Sequence, residues 1–394
     1  MALITKHYLE ALMAGTEQAR KAVPQMVETA EAVAFRLAEG NDLYIASVRP
    51  DFVSEGYIRS GGLMMLKEYN PLHTPAPRDV ILFGWSNTTP ENDLALSNDL
   101  KNTGAFLVGI GPASQELSTQ VHAFLESTLP PSVIPPFGKE AYPLVSLQNL
   151  ILLWSFTGEL VAALTRLGQM PAMYQSVLVP GARKRNASLR GHRFDKPIPP
   201  VRPKLLAETY LDKIRNCLHT VCTQETPAIE HAAQACTEVR QNGNRIHAFL
   251  ISHFPVHQIG APGDPNFMVP ITGRSGEIPD LEELEQKLHP GDLFFFLGYY
   301  RRPVQAYEAA RRRQCQIVEI ITGTDQPHPT GPNPDYIIRP GWHYTDSLVP
   351  VPRYDVRILP ASGILQTAIY WAVVGEMVER IKQFPPETDS PEEG

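Results

Sequence analysis

Apolar positions recur at helical spacing from Leu9 to Glu39, where Ala11, Ala14, Val23, Val27, Ala30, Val33, Ala34 and Leu37 line one side and Gly40-Asn41 supplies a stop. The period then changes. Leu43 to Val48 is a short continuous apolar run, as a parallel strand buried on both faces requires. The same reading predicts a helix over Phe52 to Leu63, strands over Met64 to Glu68 and Val80 to Phe83, a helix from Pro90 to Lys101 and a strand over Ala105 to Ile110. The second half repeats the plan. A helical stretch runs from Thr209 to Gln241, strands cover Arg245 to Ser252, Asp292 to Leu297 and Gln316 to Ile321, a helix covers Val304 to Arg313, and a closing helix spans Ser362 to Gln383. Continuously apolar strands alternating with helices imply an α/β protein with doubly wound parallel sheets of flavodoxin-like type, each covered by helices in a three-layer αβα domain.

The two halves also share residues. Arg78-Asp79-Val80-Ile81-Leu82-Phe83-Gly84-Trp85-Ser86-Asn87-Thr88-Thr89-Pro90 aligns without a gap on Gly291-Asp292-Leu293-Phe294-Phe295-Phe296-Leu297-Gly298-Tyr299-Tyr300-Arg301-Arg302-Pro303. Trp154-Ser155-Phe156-Thr157-Gly158-Glu159 aligns on Trp371-Ala372-Val373-Val374-Gly375-Glu376, and Gly40-Asn41-Asp42 on Gly243-Asn244-Arg245. Three matches in one order mark an internal duplication of a whole domain, since the period is far longer than that of a solenoid repeat.

A chain of 394 residues suits two such domains. Proline, at 37 residues, is in excess of the usual ~5% and marks the boundaries. Between 181 and 204 eight basic residues stand against the single acid Asp195, ending in Pro197-Ile198-Pro199-Pro200. This is the expected linker between a first domain at 1–180 and a second at 205–384, and 385–394 has the composition of a disordered tail. A net charge of −7 gives no reason to expect nucleic acid as a partner, and no run of ~18 uninterrupted apolar residues calls for a membrane. The four cysteines, all in the second half and without a C-x-x-C pair, read as reduced thiols, so the expected location is cytoplasmic.

The chemistry is expected at the carboxyl ends of the strands. There the loop Ser86-Asn87-Thr88-Thr89 precedes Pro90, a good first residue for a helix. Hydroxyls and free backbone N–H groups in such a place attract an anion; the competing reading is that Thr88 or Thr89 caps the helix. Ser86-Asn87-Thr88-Thr89-Pro90-Glu91 between an apolar strand and a helix resembles the phosphate loop S-x-S-G-x-T-P-E of the sugar isomerase (SIS) domain. Ser86, Thr89, Pro90 and Glu91 match that pattern, while Gly84 stands for its first serine and Asn87 for its glycine. The resemblance covers most of the chain in two copies. It implies a phosphorylated sugar as ligand, bound by Ser86, Asn87, Thr88, Thr89 and the strand-end Ser47, with a homodimer as the usual assembly and neither metal nor organic cofactor. Its tandem members include phosphoglucose isomerases and the isomerase half of glucosamine-6-phosphate synthase, which interconvert aldose and ketose phosphates through an enediol.

Such chemistry needs a base. Glu55, after the first strand, and His253 and His257 are the candidates, with Glu68 and Glu91 behind them. His253-Phe254-Pro255-Val256-His257 has the spacing of a helical metal site, but Pro255 breaks the helix that would align the rings. The catalytic Glu and His motifs of the family's isomerases have no counterpart in this sequence, so a sensor or regulatory subunit that binds a phosphosugar without turning it over is the alternative. The second copy has lost the serine and threonine hydroxyls of the loop and offers Arg301 and Arg302 instead, either as anion ligands or as partners of acids. Gly109-Ile110-Gly111 lacks the third glycine of a dinucleotide fingerprint, and Gly84-Trp85-Ser86 lacks the closing glycine of a nucleophile elbow.

Overall fold

The computed structural model describes residues 3–86, 88–128, 142–273, 278–323, 328–342 and 345–383. Asn87 and the expected tail at 385–394 lie outside the described residues. The first sheet contains β1 (Leu43–Ser47), β2 (Leu66–Glu68), β3 (Val80–Gly84), β4 (Phe106–Gly111) and β5 (Ala123–Glu126) in the order β2-β1-β3-β4-β5. The second contains β6 (Ile246–Leu250), β7 (Met268–Pro270), β8 (Leu293–Leu297), β9 (Gln316–Ile320) and β10 (Tyr336–Ile338) in the order β10-β9-β8-β6-β7. Every pairing in both sheets is parallel. Numbered from its own first strand, each sheet reads 2-1-3-4-5, the flavodoxin-like order. The expected pair of duplicated αβα domains is the observed architecture, with β11 (Ser347–Pro350) and β12 (Arg357–Pro360) added as an antiparallel pair.

The repeated residues perform repeated tasks. Asp79 accepts the backbone N–H groups of Asp42 and Ala76, both at 2.7 Å, and so fastens the entry of β3 to that of β1. Asp292 does the same with Arg245 at 2.8 Å and His289 at 2.9 Å. The side-chain amide of Asn149 donates to the Trp85 carbonyl at 2.7 Å, and Gln366 donates to that of Gly298, the aligned position.

The helices differ from expectation where proline and packing intervene. The leading helix divides into α1 (Leu3–Lys21) and α2 (Val23–Ala38), because Pro24 has no N–H to continue the ladder and sits in the first turn of α2. The next, α3, covers only Pro50–Gly56, and the chain then turns through Ile58 at φ 50°. After α4 (Pro90–Asn102), the short α5 (Gln115–Ser118) and α6 (Tyr142–Arg166), the basic segment forms α7 (Ala182–Ser188). Its Arg185 binds Asp195 at 2.7 Å and Tyr354 of the second half at 2.6 Å, while Arg193 binds Asp42 at 3.0 Å. The segment is therefore a strap lying against both halves. In the second half, α8 (Leu205–Thr220) passes through a π-helical turn at Val221–Glu225 into α9 (Thr226–Gln241), followed by α10 (Leu281–Lys287), α11 (Val304–Arg312) and α12 (Ser362–Gln383).

One hydrophobic core runs through both halves, built on α1, α2, α6, α8, α9 and α12. Helix α6 is long and apolar enough to cross a membrane, yet it is wholly buried within the protein. The two Gly-Glu repeats explain how the halves lock together. Glu159 of α6 accepts the N–H groups of Lys204 at 2.8 Å and Ala207 at 3.2 Å, capping α8. Glu376 of α12 accepts the N–H at 2.9 Å and the hydroxyl at 3.0 Å of Thr5, capping α1. Each half thus ends in a helix whose carboxylate neutralises the positive amino end of the other half's first helix. Gly158 allows this approach, because a Cβ there would lie 3.3 Å from the Ala207 nitrogen. Replacing either carboxylate leaves buried N–H groups unmet: Glu159→Ala and Glu376→Ala are each expected to cost about 1–3 kcal/mol in denaturant unfolding, and the loss should appear in one cooperative transition for the whole chain.

Candidate functional site

Strand β3 ends at Gly84, and the loop to α4 follows. Gly84 stands where the phosphate-loop pattern has a serine because Phe52 fills the space: a Cβ at Gly84 would lie 2.6 Å from its ring. The Trp85 indole lies over Gly109 and Gly111, where a Cβ would likewise come within 2.6 Å, and its N–H donates to the Pro112 carbonyl at 2.9 Å. The glycines of the discarded dinucleotide pattern are therefore the bed of this tryptophan. Ser86 and Thr88 share a hydrogen bond at 2.9 Å. Thr89 is the N-cap residue of α4 but makes no side-chain cap, and its hydroxyl is buried without a partner among the described residues. Helix capping thus does not account for these hydroxyls. The cavity bounded by Ser47, Arg49, Asp51, Phe52, Ser86 and Asn149 measures about 10 Å³, room for one water and not for a phosphate.

The loop is also backed by acid. Asp93, fully buried in the first turn of α4, has its carboxyl pushed up to about 6 by burial, against the Ser86 amide and Arg49, which lower it. Asp51 lines the small cavity itself and is 3.6 Å from Arg49.

A much larger space lies beside it. Ser47 lines both the small cavity and a cleft of about 600 Å³ whose other walls include Tyr57, Ile58, Ser252, His253 and His257. Ser47 closes β1 and Ser252 and His253 follow β6, so the cleft stands between the carboxyl ends of the two sheets. Ile58 and His253 both have left-handed backbone, at φ 50° and 74°. For a β-branched residue this costs roughly 1–3 kcal/mol, and such strain concentrates where function holds it. Burial drives the His253 imidazole down to about 3, with Arg59 adding to the effect, so the ring is neutral. Its Nδ1 lies 3.0 Å from the Ser54 carbonyl, which makes Nδ1 the protonated nitrogen. His257 is lowered as well, first by burial, while Asp51 acts to raise it. The 3₁₀ turn at Pro255–His257 leaves the two rings as loop histidines, the arrangement that Pro255 implied.

Glu55 has no comparable access. It is fully buried, with Arg59 at 3.1 Å and the Phe254 N–H at 3.3 Å, and α12 comes so close that a Cβ at Gly363 would lie 2.4 Å from its carboxylate. Burial raises its pKa in spite of Arg59. Arg59 also binds Asp346 at 2.9 Å, Tyr299 at 2.8 Å and the Ser362 hydroxyl, all in the second half. Asp346 in turn accepts the Ser362 N–H at 2.8 Å at the start of α12. Of the remaining acids, Glu68 lines the cleft and is exposed, and Glu91 is exposed at the start of α4. In the second copy Arg302 pairs with buried Glu319 at 2.8 Å and Arg301 lies exposed against Tyr300. The network around Arg59 and the seating of Trp85 were not read from the sequence. Most of their partners stand tens to hundreds of residues apart, and only the glycines hinted at a close approach.

No family model matches the chain, and no curated protein matches it. Solved structures do. A "putative phosphosugar isomerase" of Clostridium difficile 630 aligns over 96% of this chain and 93% of its own, at 8% identity and a TM-score of 0.50. A "putative sugar binding protein" of Salmonella typhimurium LT2 covers 95% and 97% at 11% identity with a TM-score of 0.48. The C-terminal domain of glucosamine-fructose-6-phosphate aminotransferase from Francisella tularensis covers 94% and 96% at 9% identity, again with a TM-score of 0.48. The fold of this chain is thus similar to that of the Clostridium difficile protein along nearly its whole length.

Two outcomes follow from the electrostatics. Asp93 holds its proton more tightly in the folded chain, so the stability of the protonated form is complete below about pH 3.8 and is lost as pH rises through about 6. Asp93→Asn should therefore be more stable than the parent by up to about 3 kcal/mol at pH 8, the gap closing toward pH 4 in urea titrations. Removing Arg59 leaves two buried carboxylates unpaired, and Arg59→Ala is expected to lose about 3–5 kcal/mol. Glu55→Gln should lose less than about 1 kcal/mol by the same titration, since Asp346 still pairs Arg59.

Proposed function

We propose that this protein binds a phosphorylated sugar in the cleft between the two sheets, with the phosphate at the Ser86–Thr89 loop and the sugar toward Ser252, His253 and His257. The observation that carries the reading is the position of Ser47, common to the hydroxyl loop and to a chamber of about 600 Å³ that suits a small ligand. The phosphate enters only if Phe52 and the Ser86–Thr88 hydrogen bond give way, so the loop opens on binding. Ser86 and Thr88 then exchange their mutual bond for bonds to the anion, Thr89 contributes its orphaned hydroxyl, and Arg49 offsets Asp51.

Binding without isomerisation is the preferred form of this reading, because Glu55 is sealed behind Arg59 and α12. A second form rests on His257 and Glu68, which line the same cleft and are the groups placed to move a proton there. Assembly as a homodimer and a cytoplasmic location belong to the same proposal.

The test is calorimetric titration with hexose and amino-sugar phosphates, followed by solvent-proton exchange into each sugar that binds. Ser86→Ala is expected to weaken binding about ten- to a hundredfold, as loss of a hydrogen bond to a charged group does. Unchanged affinity would remove the loop from the site. Absence of exchange supports the binding protein, whereas exchange abolished by His257→Gln or Glu68→Gln with binding intact would establish the isomerase.

A further inference from the structure

Three recesses meet at Ile58. Besides the sheet-end cleft, Ile58 lines a space of about 270 Å³ with Ser60, Arg183, Ser252, His253 and Tyr299, and another of about 640 Å³ with Ser60, Tyr174, Arg183 and Arg190. Ser252 and His253 are common walls of the first space and the cleft, so a ligand in the cleft reaches it directly.

Asp346 lines the smaller space as Asp51 lines the loop cavity, but here two arginines, Arg59 and Arg183, stand with it. Arg59 is already matched by Glu55 and Asp346. Arg183 and Arg190 are exposed, and neither has an ion pair among the described residues. Arg183 nevertheless has a fixed origin, because α7 is pinned by the residues that follow it. Asn186 exchanges hydrogen bonds with the Gln175 backbone at 3.0 and 2.8 Å, and Arg185 binds the Met173 carbonyl at 2.9 Å as well as Asp195 and Tyr354. Ile58 and Val177, 52% and 39% exposed, add apolar wall to both spaces. An exposed cation without an ion pair among the described residues, lining one recess with Ser60 and Ser252, is a receptor for an anionic group, and the guanidinium fork matches a phosphoryl oxygen pair.

We infer that this recess is a second anion compartment, and that the sugar bound in the cleft carries two phosphoryl groups, the second held by Arg183 with Ser60 and Ser252. The inference rests on the sugar-phosphate reading above but not on the Ser86 loop alone.

Calorimetry with glucose 6-phosphate and glucose 1,6-bisphosphate on the full chain and on Arg183→Gln tests it, with thermal melting as the check that this exposed substitution leaves the fold intact. The bisphosphate is expected to bind about tenfold or more tightly than the monophosphate, and that advantage should vanish in Arg183→Gln and return in part in Arg183→Lys, while monophosphate affinity stays unchanged. Equal affinity for the two sugars, or equal losses for both in Arg183→Gln, would overturn the compartment and leave the phosphosugar reading standing. If neither sugar binds, that reading falls, and inorganic pyrophosphate decides the rest: an Arg183-dependent signal supports the compartment, and no signal overturns it.

Discussion

Each half of the chain begins with a helix that only the other half can finish. Glu376 closes the amino end of α1 and Glu159 that of α8. Both carboxylates are buried, so the exchange tolerates little movement. It fixes α6 and α12 side by side at the centre of one core, and it sets the two sheets so that β1 and β6 end at a common cleft. The Arg59 network then ties that cleft's floor across the halves, joining α3 to Tyr299, Asp346 and the start of α12. The cleft is a product of the duplication: neither half holds it alone.

The fold was legible because its signals are local or periodic. Apolar runs, glycine stops and the repeated Asp79 and Asp292 gave both sheets in outline. The elements that escaped notice, such as β5, β7 and β10, are short edge strands with half-exposed residues, which leave neither a continuous apolar run nor a clean alternation. The Gly-Glu repeat was visible as a repeat, but its task was not, since the helix ends it caps lie 45 and 371 residues away.

The site was legible in part. The sequence located the hydroxyl loop and marked Gly84 as a departure from the phosphate-loop pattern, but Phe52, which excludes a side chain there, stands on another element. Asp93 shows the same limit from the other direction. In sequence it is an acid in the first turn of a helix, an ordinary favourable placement, and only burial makes it hold its proton more tightly behind Ser86. Arg183 was hidden by its company: amid eight basic residues of a proline-rich segment, nothing distinguished the one that lines the recesses beside the cleft from those that fasten the strap.

Helix α6 has a consequence during synthesis. Among the described residues it is the helix long and apolar enough to span a membrane, and part of its surface is covered by α8 and α12, which the ribosome makes later. Until those helices emerge, the nascent first half presents a stretch of membrane-spanning length to its surroundings, with the amino end of α1 still uncapped. Folding domain by domain, the usual order for a two-domain chain, would leave that part of α6 and the end of α1 unmet in the first half. The second half thus completes the burial of the first half's central helix.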